Sequence, residues 1–156
     1  TTMVQRTVME TLSGAKLGIS ASLPATYDAA GYDLSSLIFT PVGNVENYGN
    51  HGVVAAVTEF TPVDTAVVTK MKGSKNYGTM SVVIGNVPSD PGHALLKAAS
   101  ESNNHYSIEL RYGDNEYHYI DAIITKFEYV DGTVNDAKKV NVDIAICRQP
   151  VIIAQV

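Results

Sequence analysis

The chain has 156 residues, which suits one domain with a substantial buried core. Its formal net charge of −5 argues against a protein that grips nucleic acid or anionic lipid. Only 17% of the residues are charged, below the roughly 25% typical of soluble domains, which favours extensive contact between subunits. No run approaches the roughly 18 apolar residues of a membrane span, so we expect no membrane anchoring. The single cysteine, Cys147, excludes an internal disulfide framework.

The first half of the chain predicts short strands separated by loops. We expect a strand at 16–23, followed by a loop rich in Gly, Asn, Asp and Tyr that holds one short strand at 39–46. Two β-rich segments come next, at 53–60 and 66–72, with the sequence TPVD as the turn between them. The cluster KGSKNYG then predicts a turn before a Val- and Ile-rich strand at 79–87.

One helix is predicted at about 90–102. Asp90 or Ser89 can accept from the first free N–H groups, and Pro91 suits the first helical position. Three apolar residues at helical spacing form a stripe that should pack on a sheet: Leu95, Ala98 and Ala99.

Three strands are predicted to close the chain. The first, at 105–112, and the last, at 139–148, alternate apolar with polar residues. In the last strand we expect the apolar residues to point inward: Val140, Val142, Ile144 and Ile146. The strand at 117–129 is apolar on both faces, with Ile120, Ala122 and Ile124 on one and Tyr119, Ile123, Phe127 and Tyr129 on the other. The predicted fold is mainly β, an antiparallel β-sandwich or half-barrel with one flanking α-helix.

The sequence contains few residue patterns that are typical of catalytic sites. The four histidines lack the HExxH spacing of a zinc site: His51, His93, His105 and His118. KGSK lacks the spacing of a phosphate loop, and neither a GxSxG elbow nor a dinucleotide fingerprint occurs. A glycosidase carboxylate pair stays open, although nothing singles one out. We therefore expect no enzyme, no metal and no cofactor.

Four segments, in this order and spacing, carry a resemblance to a known family: TYDAAGY, PVGNVENYG, VTEFTPVDTAVVTKMKGSKNYGT and PSDPGHALLKAA. The chain resembles the major tail tube proteins of long-tailed (siphovirus) phages, the family of the lambda tail tube protein, from about Lys16 to the C-terminus. Residues 1–14 do not align and are interpreted as an N-terminal arm before a single domain at 15–156. The resemblance implies a β-sandwich flanked by a helix, assembled into hexameric rings that stack into a hollow tube. Genomic DNA would pass through that tube into the host cell.

The resemblance also implies where the contacts lie. A projecting hairpin at about 48–76 would bridge to the adjacent ring through Val53, Val54, Val57, Phe60, Lys70 and Lys72. Repulsion of the DNA backbone favours an acidic lumen, with Glu46, Glu59, Asn141 and Asp143 as candidates. The second apolar face of the strand at 117–129 would meet the neighbouring subunit. Residues 1–11 and 50–72 would be mobile in the free subunit and ordered on stacking.

The implied partners are further copies of the chain, tail terminator and tail tip proteins, and a tape measure protein. DNA would pass without specific binding. The implied location is the virion tail, after synthesis in the host bacterial cytoplasm.

Two alternatives stay open at this point. The first is the inner-tube protein of a contractile tail or of a type VI secretion system. The second is a carbohydrate-binding β-sandwich, in which some of the nine tyrosines would form a stacking platform, although such modules usually expose Trp and this chain has none.

Overall fold

The computed structural model describes residues 11–32, 37–113 and 116–154. Most of the predicted N-terminal arm, residues 1–10, lies outside the described residues. The elements in chain order are β1 (Lys16–Ser20), α1 (Ala29–Tyr32), β2 (Thr40–Val42), β3 (Val45–Asn47), β4 (Val54–Phe60), β5 (Thr69–Asn76), β6 (Thr79–Gly85), α2 (Pro91–Glu101), β7 (Tyr106–Arg111), β8 (Glu116–Val130), β9 (Lys139–Ile146) and β10 (Val151–Ala154). The predicted mainly β fold with a flanking helix is confirmed.

An eight-stranded antiparallel sheet forms the body of the molecule, in the order β2-β1-β7-β8-β9-β6-β3, with β10 paired to the start of β8. Its two end strands, β2 and β3, are consecutive in the chain and separated only by Gly43 and Asn44. The sheet therefore curls back towards itself, and the body is a half-barrel of one curled sheet. The predicted single strand at 39–46 is wrong, because Asn44 adopts a left-handed φ of 59° and bends the chain between two strands.

The core lies inside the curl and is built by alternation. Val140, Val142 and Ile144 of β9 are fully buried, as predicted. They pair with Ile84, Val82 and Met80 of β6, which are also buried, so the inward rows of neighbouring strands meet.

Helix α2 closes one end of the core and is seated on the β2–β3 bend. Asp90 is its N-cap: one carboxylate oxygen accepts from the N–H of Gly92 at 2.9 Å, and the other accepts from the N–H of Gly43 at 3.0 Å. A Cβ on Gly92 would lie 2.3 Å from the carbonyl oxygen of Pro41, so only glycine permits this close approach. His93 of the helix also contacts this bend, since its Nε2 lies 2.7 Å from the carbonyl oxygen of Gly43.

This seating corrects the predicted apolar stripe of the helix. Leu96 and Ala99 are buried, whereas Leu95 is half-buried and Ala98 is exposed. The helix bounds themselves agree with the prediction of about 90–102. The stripe is displaced because the contacts of Gly92 with β2 fix which side of the helix faces the sheet.

A β-bulge in β8 overturns the prediction for its second half. Ile124 pairs with Ile144, but Lys126 already pairs with Asp143, so one extra residue is inserted and the side-chain alternation reverses. Phe127 consequently pairs with Val142 and packs against the core. The predicted placement of Phe127 and Tyr129 on the face opposite Ile124 is wrong.

The other apolar face of β8 is covered by the chain itself. Tyr119 is only 5% exposed, because its ring stacks on Tyr32 at 5.1 Å and contacts Phe39 at 5.7 Å. This position needs no neighbouring subunit to bury it. The two-faced apolar pattern of β8 is therefore no indication of a subunit contact at Tyr119, contrary to the prediction.

Two further differences concern strand ends. The cluster KGSKNYG is not a turn throughout, since β5 continues to Asn76 and the reversal falls at Tyr77 and Gly78, where Gly78 has a φ of 78°. The strand β10 was not predicted; it pairs with the first residues of β8 and follows the last predicted strand.

Candidate assembly surface

The hairpin β4–β5 forms a two-stranded sheet of its own, outside the eight-stranded sheet. Every residue of β5 is exposed, and in β4 only Ala55 is half-buried. An isolated two-stranded hairpin is at best marginally stable in water. A hairpin of this length, open on both faces, is therefore a segment that a partner surface would stabilise.

The pairing register assigns the predicted contact residues to faces. Val57 lies opposite Lys72 and Glu59 opposite Lys70, and these four residues share one side, since alternate residues of a strand and cross-strand partners share a face. We call this the valine–lysine face: Val57, Glu59, Lys70 and Lys72.

The opposite side, which we call the Phe60 face, carries a second apolar group. Phe60 pairs with Thr69, and Thr58 pairs with Met71. Val54 lies on the Phe60 face too, because it is three residues from Val57 in β4 and the extra residue of the bulge belongs to β5, between Lys72 and Lys75. Of the six predicted contact residues, three thus share the valine–lysine face, two lie on the Phe60 face, and Val53 precedes the strand. Their role in ring stacking stays a prediction.

Large apolar side chains are exposed along the whole hairpin. Val54 is 70% exposed, Val57 62% and Phe60 60%. Further exposed apolar residues, which the sequence analysis did not single out, continue to the tip: Val63, Val67, Val68 and Met71. The apolar run AVVTKM around the predicted turn was the signal that could have found them. Apolar groups concentrated on one exposed element mark an interaction surface.

Contacts at the hairpin root hold it to the body. The Tyr48 hydroxyl donates to the carbonyl oxygen of Ala15 at 2.8 Å, and Nε2 of His51 lies 2.7 Å from Nδ1 of His118 on β8. Gly49 has a φ of 68° and passes so close to Ser81 that a Cβ there would lie 2.2 Å from its carbonyl oxygen.

The four predicted lumen residues do not form one surface. Asn141 and Asp143 lie on the outer face of β9, where Asp143 accepts from the Ser81 hydroxyl at 2.9 Å. Glu46 lies at the neighbouring edge and pairs with Lys139 at 2.8 Å. Glu59, however, belongs to the hairpin.

This outer face of β3, β6, β9 and the end of β8 is mildly acidic. Three carboxylates, Glu46, Glu128 and Asp143, stand against two lysines, Lys126 and Lys139, so the net charge of these five groups is −1. Both the acidic lumen and the role of this face as its lining stay predictions.

One edge of β8 is open. β7 covers β8 only up to Ala122, and from Ile123 to Val130 β8 pairs with β9 alone within the described residues. About half the backbone N–H and C=O groups of this stretch point away from β9, as on any edge strand. Such an edge can accept a strand from another chain.

One further polar cluster among the described residues surrounds Asp121. Asp121 is buried and accepts from Nε of Arg148 at 3.1 Å, with Nδ1 of His105 at 3.3 Å. Burial, followed by the charge of Asp121, raises the pKa of the Cys147 thiol, the opposite of nucleophile activation. Within the described ranges, no group of His, Cys, Asp and Glu is arranged to hold a metal ion, and no helix is long and apolar enough to cross a membrane.

Comparison with known proteins yields matches by structure and none by sequence. No family model and no curated protein matches the chain. A chain from the PVC sheath/tube terminator of an extracellular contractile injection system, in its extended state, aligns over 94% of this chain and 98% of its own length, with 11% identity and a TM-score of 0.66. A chain from the anti-feeding prophage baseplate aligns over 97% and 98%, with 8% identity and a TM-score of 0.64. The SPP1 tail tube protein aligns over 91% and 77%, with 14% identity and a TM-score of 0.58.

The chain has a tail-tube-like fold. Because each of these identities is low, the likeness establishes the fold alone. The narrower prediction of a lambda-type protein from a long-tailed phage stays a prediction. Of the three matches described above, the chain from the extracellular contractile injection system has the highest TM-score, 0.66 against 0.64 and 0.58.

Proposed function

We propose that this chain is a structural subunit of a phage-type tail tube, in which rings stack through the β4–β5 hairpin. The observation that carries the proposal is the hairpin itself: a separate two-stranded sheet with exposed apolar side chains on both faces, borne by a body with a tail-tube-like fold. A head-to-tail contact of this kind is open-ended, so it builds filaments rather than closed dimers.

The open edge of β8 supplies a second contact, within each ring. A strand from the neighbouring copy pairs with residues 123–130 and satisfies their free backbone groups. Closing a ring in this way pairs the β8 edge of every copy. An unpaired edge would otherwise pair indiscriminately with strands of other chains. Six copies close the ring, and the stacked rings enclose a channel for double-stranded DNA.

The partners follow from that assembly. They are other copies of the chain, terminator and tip proteins at the two ends of the tube, and a tape measure protein inside it during assembly. The protein belongs to the virion tail and has no enzymatic activity. The carbohydrate-binding alternative lacks a supporting observation, because Tyr32 and Tyr119 are buried against each other rather than presented as a platform.

A second candidate, from the same architectural class, is a tube or tube-terminator protein of a contractile injection system. It is favoured by the TM-score of the contractile injection system chain, 0.66, against 0.58 for the SPP1 tail tube protein. The two roles differ in what the pure protein does. A tube protein forms filaments that lengthen with concentration, whereas a terminator forms single rings that stay short.

The test is assembly of the purified protein over a wide concentration range, followed by sedimentation velocity and negative-stain electron microscopy. Filaments with a central channel are expected above a critical concentration. Replacing residues 54–76 by a short Gly-Ser link should leave a folded subunit that forms no filaments. The matched control replaces residues 131–138, the loop between β8 and β9, by a similar link and should assemble normally. A wild-type protein that remains a monomer at every concentration, even with tail-tip proteins added as nucleators, would refute the proposal.

A further inference from the structure

Two histidines that lie 67 positions apart in the chain meet at the root of the hairpin. His51 lies in the segment that leads into β4, and His118 lies in β8. Nε2 of His51 is 2.7 Å from Nδ1 of His118, and the two rings meet edge to face with centroids 4.9 Å apart. This is a direct side-chain bond between the segment entering the hairpin and the eight-stranded sheet.

A carboxylate fixes the direction of the hydrogen bonds. Nε2 of His118 lies 2.8 Å from a carboxylate oxygen of Glu116, which accepts, so Nε2 of His118 carries a proton. In the neutral imidazole Nδ1 of His118 is then an acceptor, and it accepts from the Nε2–H of His51. The chain His51 to His118 to Glu116 is thus complete with both imidazoles neutral.

Among the described residues, few other charges surround the pair. Tyr112 contacts the His118 ring at 4.8 Å, Tyr77 lies beside the segment that contains His51, and Glu116 bonds the pair through His118. The charged strand residues nearest in register are Glu109 and Arg111 of β7 and Lys16 of β1. All three lie on the outer face of the sheet, where Arg111 covers Tyr117, whereas His118 lies opposite the buried Leu110.

The remaining neighbour is β10, which pairs with β8 alongside the histidine. Ile152 lies opposite His118, and Val151–Ala154 contains no titratable side chain. Among the described residues, the charge state of the clasp is therefore set by the two imidazoles and Glu116.

The contact tolerates one added proton but not two. With a single proton, one imidazole still offers a lone pair to the other, and Glu116 balances the charge on His118. With both rings protonated, two N–H groups face each other at 2.7 Å, so the hydrogen bond is lost and two like charges repel.

We propose that His51 and His118 form a pH-sensitive clasp that holds the hairpin root against the sheet at neutral pH and releases it in acid. On release, the segment around His51 loses this bond to β8 while the core inside the curled sheet is untouched. The hairpin then changes its orientation relative to the body more freely.

The direction of the pH dependence follows from the folded environment. Burial, and next the neighbouring His118, lower the pKa of His51 from its usual value of about 6.5. The opened state therefore binds more protons below that value, so the clasp is fully stabilised above about pH 6.5 and loses stability as pH falls through the lowered pKa. Each pH unit below about 6.5 favours the opened state by up to about tenfold.

The decisive experiment measures amide hydrogen exchange of the free subunit by mass spectrometry, with rates normalised for the intrinsic effect of pH. The population in which the root segments 47–54 and 76–79 are open should rise by up to about tenfold between pH 7.5 and pH 5.5. Amides of β9 in the core should not follow. His51→Gln keeps an N–H donor for His118 without a titrating group, and it should remove the pH dependence. His105→Gln, a change at the histidine beside Asp121, is the matched control and should behave like the wild type.

An unchanged root opening in the wild type, or the same rise in His51→Gln, would overturn the clasp. Imidazole nitrogen chemical shifts of the wild type supply a second measurement, which does not depend on a variant that folds. The clasp requires the neutral His118 to carry its proton on Nε2, towards Glu116, and to accept at Nδ1 from His51. A neutral His118 with its proton on Nδ1 would contradict it.

The assay needs no assembly, so its outcome is separate from that of the proposed tube. The consequence for stacking, namely fewer or shorter tubes at pH 5.5 than at pH 7.5, rests on the proposed function.

Discussion

The substitution Val57→Asp tests the valine–lysine face of the hairpin most directly. Val57 is 62% exposed in the subunit, so at most that fraction of its side chain remains to be buried by a partner. Complete burial of a valine stabilises by at least about 1.5 kcal/mol, which gives about 1 kcal/mol for this side chain in each contact. An aspartate at this position loses the stabilisation from burying the valine, and removing its carboxylate from water costs about 1–3 kcal/mol more.

The total expected loss is about 2–4 kcal/mol for each subunit contact, or roughly 30- to 1,000-fold in the contact's equilibrium constant. Stacking adds a whole ring at a time, so the penalties of all its subunits add in one step. We therefore expect the critical concentration for filament formation to rise by at least about 30-fold. The hairpin itself should survive, because Lys72 lies directly opposite position 57 and pairs favourably with an aspartate.

The assay is pelleting of filaments across a concentration series, with circular dichroism to verify that the subunit is folded. Val134→Asp is the matched control, since Val134 is also a valine and is 97% exposed, but it lies in the loop between β8 and β9. That variant should assemble as the wild type does. If Val57→Asp leaves the critical concentration unchanged, or if Val134→Asp raises it as much, the hairpin face is not a stacking contact.

Three further changes probe the body and the proposed channel. Asp90→Ala should lower the free energy of unfolding by about 2–3 kcal/mol in urea titrations, because it removes both the helix cap and the acceptor for the N–H of Gly43. Asp90→Asn keeps one acceptor and should lower the free energy of unfolding by less. Equal losses in the two variants would refute the account based on two hydrogen bonds. Arg148→Ala should cost about 2 kcal/mol by the same assay, since it leaves buried Asp121 without its guanidinium partner, and an unchanged urea midpoint would argue against that bond. Asp143→Lys should leave tubes intact by microscopy yet slow DNA ejection, most visibly at low ionic strength; normal ejection would remove this face from the channel.

The sequence was informative wherever one residue type determines local structure. The alternation of Val140, Val142 and Ile144 placed the last strand's core face correctly, because a strand beside a buried layer must present apolar residues at every second position. Asp90 and Pro91 marked the helix start, since capping and proline placement act over a few residues only.

Features that depend on a distant partner were not predictable. The bulge that reverses β8 after Ile124 is defined by its pairing with β9 and has no residue pattern of its own. The bend at Asn44 separates two strands only because β1 and β6 lie on opposite sides of the curl. The contact between His51 and His118 likewise joins residues that nothing in the sequence relates.

The sequence predicted that the candidate site is an exposed hairpin, but it did not predict which residues of the two strands pair with each other. The apolar segment around Val54 and Val57 indicated an exposed hairpin, and the structure places it outside the main sheet. The pairing of Val57 with Lys72 required the register, which one extra residue in β5, between Lys72 and Lys75, shifts by one position. The hairpin therefore has two different faces. A single partner surface contacts only one of them, unless the hairpin inserts between two partner surfaces.

The fold leaves two open surfaces with different chemistry, and this difference separates two kinds of contact. The edge of β8 from Ile123 to Val130 offers backbone donors and acceptors, which only another strand edge satisfies fully. The hairpin already pairs its two strands with each other and offers apolar side chains instead, which any complementary surface can bury. The ring of Tyr119, by contrast, already stacks on Tyr32, so this part of β8 offers no apolar surface to a partner. An assembly that grows in two directions, around a ring and along an axis, requires two such independent contacts, and in the proposed tube these two surfaces would supply them.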